Sequence, residues 1–343
     1  MKHSVVVFSR PPRIFAAASA VGGEEANGPL GAAFDFHDPS DRFGGDTWEH
    51  AEACLAGTVF SLLMNKAKFD HRQVDMLFAG DLQNQCVASS EGLMGFGVPY
   101  IGLYGACSTC GEGLMQAALA LSVPGGIRYA VSLTTSHYCA AERQFRTPLE
   151  YGAQRTPTAQ WTATAGGGFL LTSEPRGKVE IEAIMPGRII DSGIRDAANM
   201  GAAMAPAVVD SLHRYFSARH ERPDDYDAII TGDLAKEGSL ILEKMLAEEG
   251  VSVKNNHFDC GKLLYDYDTQ DVHAGASGCG CSASVLAAHF MPKLTSGEFR
   301  RVLFVATGAL MSPSSILQGG NIGGIAPVVC LRRCEKANDE VHL

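Results

Sequence analysis

The sequence predicts an α/β protein of two duplicated halves, residues 1–175 and 176–343, with mixed sheets layered between helices. Three observations lead there. Short apolar runs rich in Val, Ile and Leu alternate with longer helical patterns, as expected of strands covered by helices. Four landmarks occur twice, in the same order. Glycine is abundant at 38 residues and aromatics are sparse at 8%, a balance suited to many tight strand–helix turns.

The first landmark is an apolar strand ending in Gly-Asp-Leu, at Val74–Leu82 and again at Tyr226–Leu234. The second is a small Gly/Cys/Ser turn opening a helix, at Gly105–Cys110 and at Gly278–Ser282. The third is a buried strand after an arginine, from Arg128 and from Arg301. The fourth is a glycine run leading into an apolar strand, from Gly166 and from Gly323. The offsets, about 152, 173, 173 and 157 residues, are each close to half the chain. Repetition at that period reads as internal duplication, with the junction at Ser173-Glu174-Pro175-Arg176-Gly177. Apolar periodicity predicts helices over 48–65, 112–123, 203–219, 240–249 and 283–294. In such folds ligands favour the carboxyl ends of the strands.

Composition narrows the function classes. The chain has 343 residues, 46% hydrophobic and 19% charged, enough for a large core. Its net charge is −10 and it has no Lys/Arg run, which argues against nucleic acid and against direct docking on an anionic membrane. Ten cysteines are too few for a disulfide scaffold of this length. Cys54, Cys86, Cys139 and Cys330 lie inside apolar patterns and read as small buried residues. A reducing compartment follows. The start, MKHSVVVFSRPPRIFAAASAV, looks like a secretory leader, but two prolines split its apolar parts. No run approaches the roughly 18 apolar residues of a membrane span.

Cys107 is the residue most suited to chemistry. It sits in the turn Gly105-Ala106-Cys107-Ser108-Thr109-Cys110-Gly111, between an apolar strand and a helix. A cysteine at a helix start meets unpaired N–H groups and the positive end of the dipole, which favours the thiolate. The other reading is a small residue filling a crowded turn. Cys107/Cys110 with Cys279/Cys281 also has the look of zinc ligands, but small residues at matching turns of a duplicated fold explain both clusters, and no metal or cofactor is expected. The best anion-binding segment runs from His137 to Arg146, after a buried strand. Arg143 and Arg146 are three apart and share a helical face suited to forked recognition of carboxylates. Alternatively Glu142 and Arg146 pair along that turn. Asp81 and Asn84 follow the first repeat strand and read either as helix caps or as placed to reach a central cavity or a ligand's calcium. Asp233, after the second, reads as a helix cap.

Duplicated halves, the Ala106-Cys107 step and glycine-led terminal strands resemble the thiolase superfamily, which includes the β-ketoacyl synthases. Closer still is the stage V sporulation protein AD family. The residues that carry this are Asn27–Gly31, Ala79-Gly80-Asp81-Leu82-Gln83-Asn84-Gln85, Gly105–Thr109, Ala140-Ala141-Glu142-Arg143-Gln144-Phe145-Arg146 with Glu150-Tyr151-Gly152, Asn199-Met200-Gly201 with Met204-Ala205-Pro206, Tyr226–Leu234, Asp259-Cys260-Gly261 and Ala306–Leu310. The resemblance implies a thiolase-like fold that binds dipicolinate (pyridine-2,6-dicarboxylate), with or without calcium, for its transport in spores. It implies membrane-embedded stage V sporulation proteins as partners, a peripheral place at the inner spore membrane, and a homodimer paired through the strand before Cys107. Condensing enzymes of the superfamily carry a histidine where this chain has Gly232-Asp233 and an asparagine at the position of Cys279. Both are absent, so condensation by that route is expected to fail, and Cys107 becomes a vestigial nucleophile position. His137 and His273 are the candidates for a displaced histidine. The alternative is an acyltransferase or thioesterase acting through Cys107.

Overall fold

The computed structural model describes residues 4–146, 150 and 154–334. Tyr151 and Gly152 of the family resemblance lie outside the described residues. Ten principal strands make one sheet. In the first half they are β1 (Arg13–Gly22), β2 (Met76–Gly80), β3 (Tyr100–Gly102), β4 (Tyr129–Ser136) and β5 (Ala165–Thr172). In the second they are β6 (Val179–Met185), β7 (Ala228–Thr231), β8 (His257–Asp259), β9 (Arg301–Val305) and β10 (Val328–Arg333). Two short strands, Val6–Val7 and Phe36–Asp38, add to β6 and β1.

The order across the sheet is β3-β2-β4-β5-β1-β6-β10-β9-β7-β8. Each half therefore repeats one pattern. β2 runs parallel to β3 and β4, and β5 is antiparallel to β4 and β1. Likewise β7 runs parallel to β8 and β9, and β10 is antiparallel to β9 and β6. Side-chain detail repeats as well. Asp75 accepts from the N–H groups of Arg128 and Tyr129 at 2.8 and 2.9 Å, and Asp227 from those of Arg300 and Arg301 at 2.6 and 2.8 Å. The halves meet edge to edge through only two residue pairs, Arg13 with Glu180 and Ile14 with Val179. The apolar part of the leader-like start is β1, the strand at that seam.

Strand alternation sorts the side chains into layers. Leu77, Val131 and Leu170 face α1 (Trp48–Ala67), whereas Phe78, Ala130 and Leu171 face the molecule's centre. In the second half Ile229, Leu303 and Val305 pack against α5 (Met200–Arg219) and α6 (Ala235–Glu248), whereas Ile230 and Phe304 turn inward. The central layer is built by α3 (Thr109–Leu121) and α7 (Cys279–Val285), which continues through a π turn at Leu286–Phe290 into Met291–Ser296. Close approach there requires glycine. A Cβ on Gly167 of β5 would lie 2.3 Å from the Ala283 carbonyl oxygen, and one on Gly280 would lie 2.0 Å from that of Ala165.

Several helices begin earlier than periodicity predicts. α3 starts at Thr109, α5 at Met200, α6 at Ala235 and α7 at Cys279. The first turns of α3, α5 and α7 consist largely of Gly, Ala, Cys, Ser and Thr, and that of α6 begins Ala-Lys-Glu-Gly, so they carry little apolar period. Cysteine placement also differs in part: Cys86 and Cys330 are buried, while Cys54 and Cys139 are half-buried, and all ten thiols are free. No described helix is long and apolar enough to cross a membrane.

Candidate ligand-binding site

Cys107 ends a turn held by its own neighbours. Ala106 adopts a left-handed conformation, φ +52°. The Ser108 hydroxyl donates to the Gly105 carbonyl and the Thr109 hydroxyl to that of Ala106, each at 2.7 Å, fixing the turn at the head of α3. Cys107 is only 5% exposed, with Sγ 3.9 Å from the Ser277 hydroxyl.

The second half delivers its repeat residues to the same point. Asp233, just past β7, is fully buried. Its carboxylate accepts from the Thr307 hydroxyl at 2.6 Å and from the Gly278 N–H at 2.9 Å. It is not a helix cap: Asp259 accepts from the Leu234 and Ala235 N–H groups at 2.9 Å and does that work for α6. Asp233 instead ties β7 to the Gly278 turn and stands beside Cys107. Burial, followed by the Asp233 charge, holds the Cys107 thiol well above its ordinary pKa, against weaker pulls from the Gly278 N–H and Ser277 hydroxyl. The thiolate expected from the helix start is thus overturned, because desolvation and a neighbouring carboxylate outweigh the dipole. Burial also raises Asp233. Cys279 donates to the Thr135 carbonyl at 3.0 Å and does not line the cavity.

Cys107 and Ser277 lie in the wall of a cavity of about 290 Å³ between the halves. Tyr104, Thr162 and Gln160 add polar atoms. Leu82, Phe145, Met200, Met311 and Ile316 form an apolar wall, the last from the short helix α8 (Pro313–Leu317) once α2 (Val87–Leu93) and α4 (Tyr138–Phe145) are counted. Glu142 and Arg146 also line it. They form an ion pair through Arg146 Nε, and Arg146 Nη2 donates to the Gln160 carbonyl at 3.2 Å.

The other predicted residues fall outside this cavity. His137 is buried, with Nε2 2.8 Å from the Asp41 carbonyl, against Trp48 at 5.6 Å between ring centroids. Burial lowers its pKa, so it is a neutral packing residue there. His273 contacts the Thr156 carbonyl at 2.7 Å and Asp271 at 3.2 Å. Neither histidine replaces the missing one. Arg143 reaches back to Glu49 of α1 at 3.1 Å with its side chain 52% exposed. Asp81 is turned into its own loop, accepting from the Gln83 N–H at 2.9 Å and the Ser89 N–H and hydroxyl at 2.7 Å. Asn84 is exposed and bonds through its N–H to Gln144 at 2.9 Å. The helical face drawn through Arg143 and Arg146 fails because α4 ends at Phe145, leaving Arg146 extended at φ −96°, ψ 100°.

Gln160 was not visible in the sequence. Its Nε2 donates to the Asp233 and Ala276 carbonyls at 2.7 and 2.8 Å, which fixes the amide's orientation. Oε1 is then a buried acceptor without a partner among the described residues. No motif marks it: a single Gln before Trp161 carries no spacing signal. Among the described residues, no group of three or more His, Cys, Asp or Glu is arranged to hold a metal ion.

The architecture has known counterparts. The chain is similar to 3-oxoacyl-[acyl-carrier-protein] synthase III from Aquifex aeolicus VF5, with a TM-score of 0.55 and 12% identity over 94% of this chain and 99% of that one. It is similar to a variant of OleA from Xanthomonas campestris, with a TM-score of 0.60 and 12% identity over 94% and 100%. These likenesses show a thiolase-like α/β fold. Sequence similarity is much higher elsewhere: stage V sporulation protein AD of Bacillus subtilis (strain 168) is 40% identical over 332 residues, 97% of each chain. The family model described as Stage V sporulation protein AD matches residues 2–332. With the thiolase-like fold and a buried Cys107 turn now in place, the chain belongs to the stage V sporulation protein AD family.

Proposed function

We propose that this chain is a non-catalytic receptor for a small planar dicarboxylate, dipicolinate, alone or as its calcium chelate, held in the cavity at Cys107. The observation that carries this is a half-open, largely apolar cavity with an arginine in its wall and a protonated thiol at its base. Planar rings suit the apolar wall, and Arg146 offers the forked donors that carboxylates favour. Asp233 occupies the place of a catalytic base as a structural clamp, which supports binding over acyl transfer. The role fits dipicolinate movement beside membrane-embedded stage V sporulation proteins, at the periphery of the inner spore membrane. β3 is an exposed edge, with Tyr100 and Ile101 37% and 41% exposed and Tyr104, two residues past it, 45%. This supports a homodimer paired through that edge, which sedimentation would detect.

Titration calorimetry with dipicolinate, with and without calcium, tests the reading. Ala198→Trp, which fills the cavity from a half-buried wall position, is expected to abolish binding with circular dichroism unchanged. Undiminished binding in a folded Ala198→Trp protein, or none in the parent, would remove the proposal. A second reading keeps Cys107 as an acyl acceptor, and the retained turn at the head of α3 favours it.

A further inference from the structure

The sequence has no basic run, yet the sheet assembles a basic row. At the edge opposite the cavity, strand ends bring together residues far apart in the chain. The Ser173 N–H bonds to the Arg128 carbonyl, that of Cys334 to Lys178, and that of Arg333 to Arg300. Arg13 pairs in register with Thr172 and Glu180, and Arg301 with Arg332. Arg128, Arg13, Lys178, Arg333 and Arg300 therefore lie along one edge of six neighbouring strands, β4-β5-β1-β6-β10-β9, a span of about 24 Å at the usual strand spacing. The cavity lies beyond the other ends of β2 and β7, where Asp81 and Asp233 follow.

Acidic residues along this edge are largely occupied. Asp75 and Asp227 accept backbone N–H groups, Glu180 and Glu182 are buried in pairs with Arg332 and Arg301, and Glu174 accepts from the Tyr129 hydroxyl at 2.8 Å and lies 4.0 Å from Arg128. Arg13, Arg176, Lys178 and Arg300 have no ion pair among the described residues. Arg176, Lys178 and Arg300 are exposed. A groove of about 870 Å³ opens beside them, floored by Ile14, Phe15 and Met291 and rimmed by Arg176 and Lys178, with Lys66, paired to Asp35 at 2.7 Å, and one carboxylate, Glu174. The Arg176 guanidinium sits 4.5 Å from the Phe15 ring centroid.

We propose that this edge docks directly on an anionic bilayer, with one acidic phospholipid headgroup in the groove. A basic rim over an apolar floor matches an amphiphilic anion, whereas an acidic peptide leaves the floor unused. A cationic row along one sheet edge matches an anionic surface. The net charge of −10 opposes such contact on average, so the contact depends on the local excess of cations along this edge. Docked this way, the protein turns its cavity away from the bilayer. This inference is independent of which ligand the cavity holds.

Co-sedimentation of the full chain with phosphatidylcholine vesicles, with and without phosphatidylglycerol, tests it. Binding is expected only with phosphatidylglycerol, and raised salt should release it. The Arg176→Glu/Lys178→Glu variant should lose about ten-fold or more in partitioning, at the usual contribution of each surface cation. Arg300→Glu, on a different strand, should lose several-fold, which guards against misfolding of the first variant. Lys236→Glu, in the first turn of α6 at the cavity end, should bind as the parent does. No phosphatidylglycerol-dependent binding, equal loss in Lys236→Glu, or retention on polyglutamate beads but not on vesicles would each overturn the assignment.

Discussion

The Glu142–Arg146 pair sets the charge of the cavity, and changing its two members should move ligand affinity in opposite directions. The side chains are 14% and 23% exposed, so solvent screens them only in part. In the parent, Glu142 neutralises the one arginine lining the cavity. Glu142→Gln removes a negative charge from the wall while keeping an acceptor for Arg146. At about 6 Å and an effective dielectric constant near 20, one charge pair is worth roughly 3 kcal/mol. Glu142→Gln should therefore tighten dipicolinate binding, by up to about a hundred-fold. Arg146→Ala removes a charge-assisted contact of about 1.5–3 kcal/mol, a loss of roughly ten- to a hundred-fold. It also strands Glu142, so the Glu142→Gln/Arg146→Ala double variant isolates the contact itself. Arg143→Ala is the control, because Arg143 pairs with Glu49 outside the cavity. Calorimetry on all four proteins, with circular dichroism as the folding check, measures these differences. Weaker binding in Glu142→Gln, or equal losses in Arg143→Ala and Arg146→Ala, would show that the pair merely holds the end of α4.

Three further outcomes are expected. Incubated with common acyl-CoA donors, Cys107 should show no stable acylation by mass spectrometry, since burial and Asp233 hold it as a thiol; rapid, saturable acylation lost in Cys107→Ser would restore the acyltransferase reading. Glu25 is buried and raised from 4.5 to about 7, mainly by desolvation against hydrogen bonds from Tyr265 and Thr164. The unfolded chain loses this proton first, so stability from this group falls as pH rises from 4.5 to about 7. Glu25→Gln should stabilise by up to about 3 kcal/mol above that range and by little below it, in urea titrations at both ends; an equal gain at both ends would contradict the burial argument. Gly280→Val should prevent soluble folding, because its Cβ would meet the Ala165 carbonyl and the Ser136 N–H; a normally folded variant would show that the central layer can separate.

The duplication was legible because it rests on local strings. Gly-Asp-Leu after a strand and a small turn before a helix are short enough to survive in both halves, and the pairing of β1–β5 is repeated in β6–β10. Helix starts were less legible, since Thr109 to Gly111 and Cys279 to Ser282 gain their helical conformation from packing between sheets. Site residues divided along the same line. Cys107, Glu142 and Arg146 stand near the ends of elements whose position the pattern reveals. His137, Arg143 and Asp81 have equally suitable chemistry, but the first two are turned aside by partners distant in sequence, Asp41 at 96 residues and Glu49 at 94, and Asp81 by Ser89 of its own loop. Gln160 became a site residue only through contacts to carbonyls 73 and 116 residues away.

Duplication also explains how a catalytic position becomes structural. Asp81 and Asp233 are equivalent in the two halves, and each is a buried carboxylate that accepts backbone N–H groups beyond a strand end. Asp81 organises the loop into α2, with no role at the cavity. Asp233 has the same habit: it fixes the Gly278 turn and accepts from Thr307. The half that meets Cys107 therefore carries the residue that its counterpart uses for loop architecture. A carboxylate at that place accepts from the Thr307 hydroxyl and the Gly278 N–H and raises the thiol it faces. A neutral imidazole would instead offer a base to that thiol. The same carboxylate thus ties the junction of the halves and, together with burial, holds the Cys107 thiol above its ordinary pKa, which is what the binding role proposed above requires.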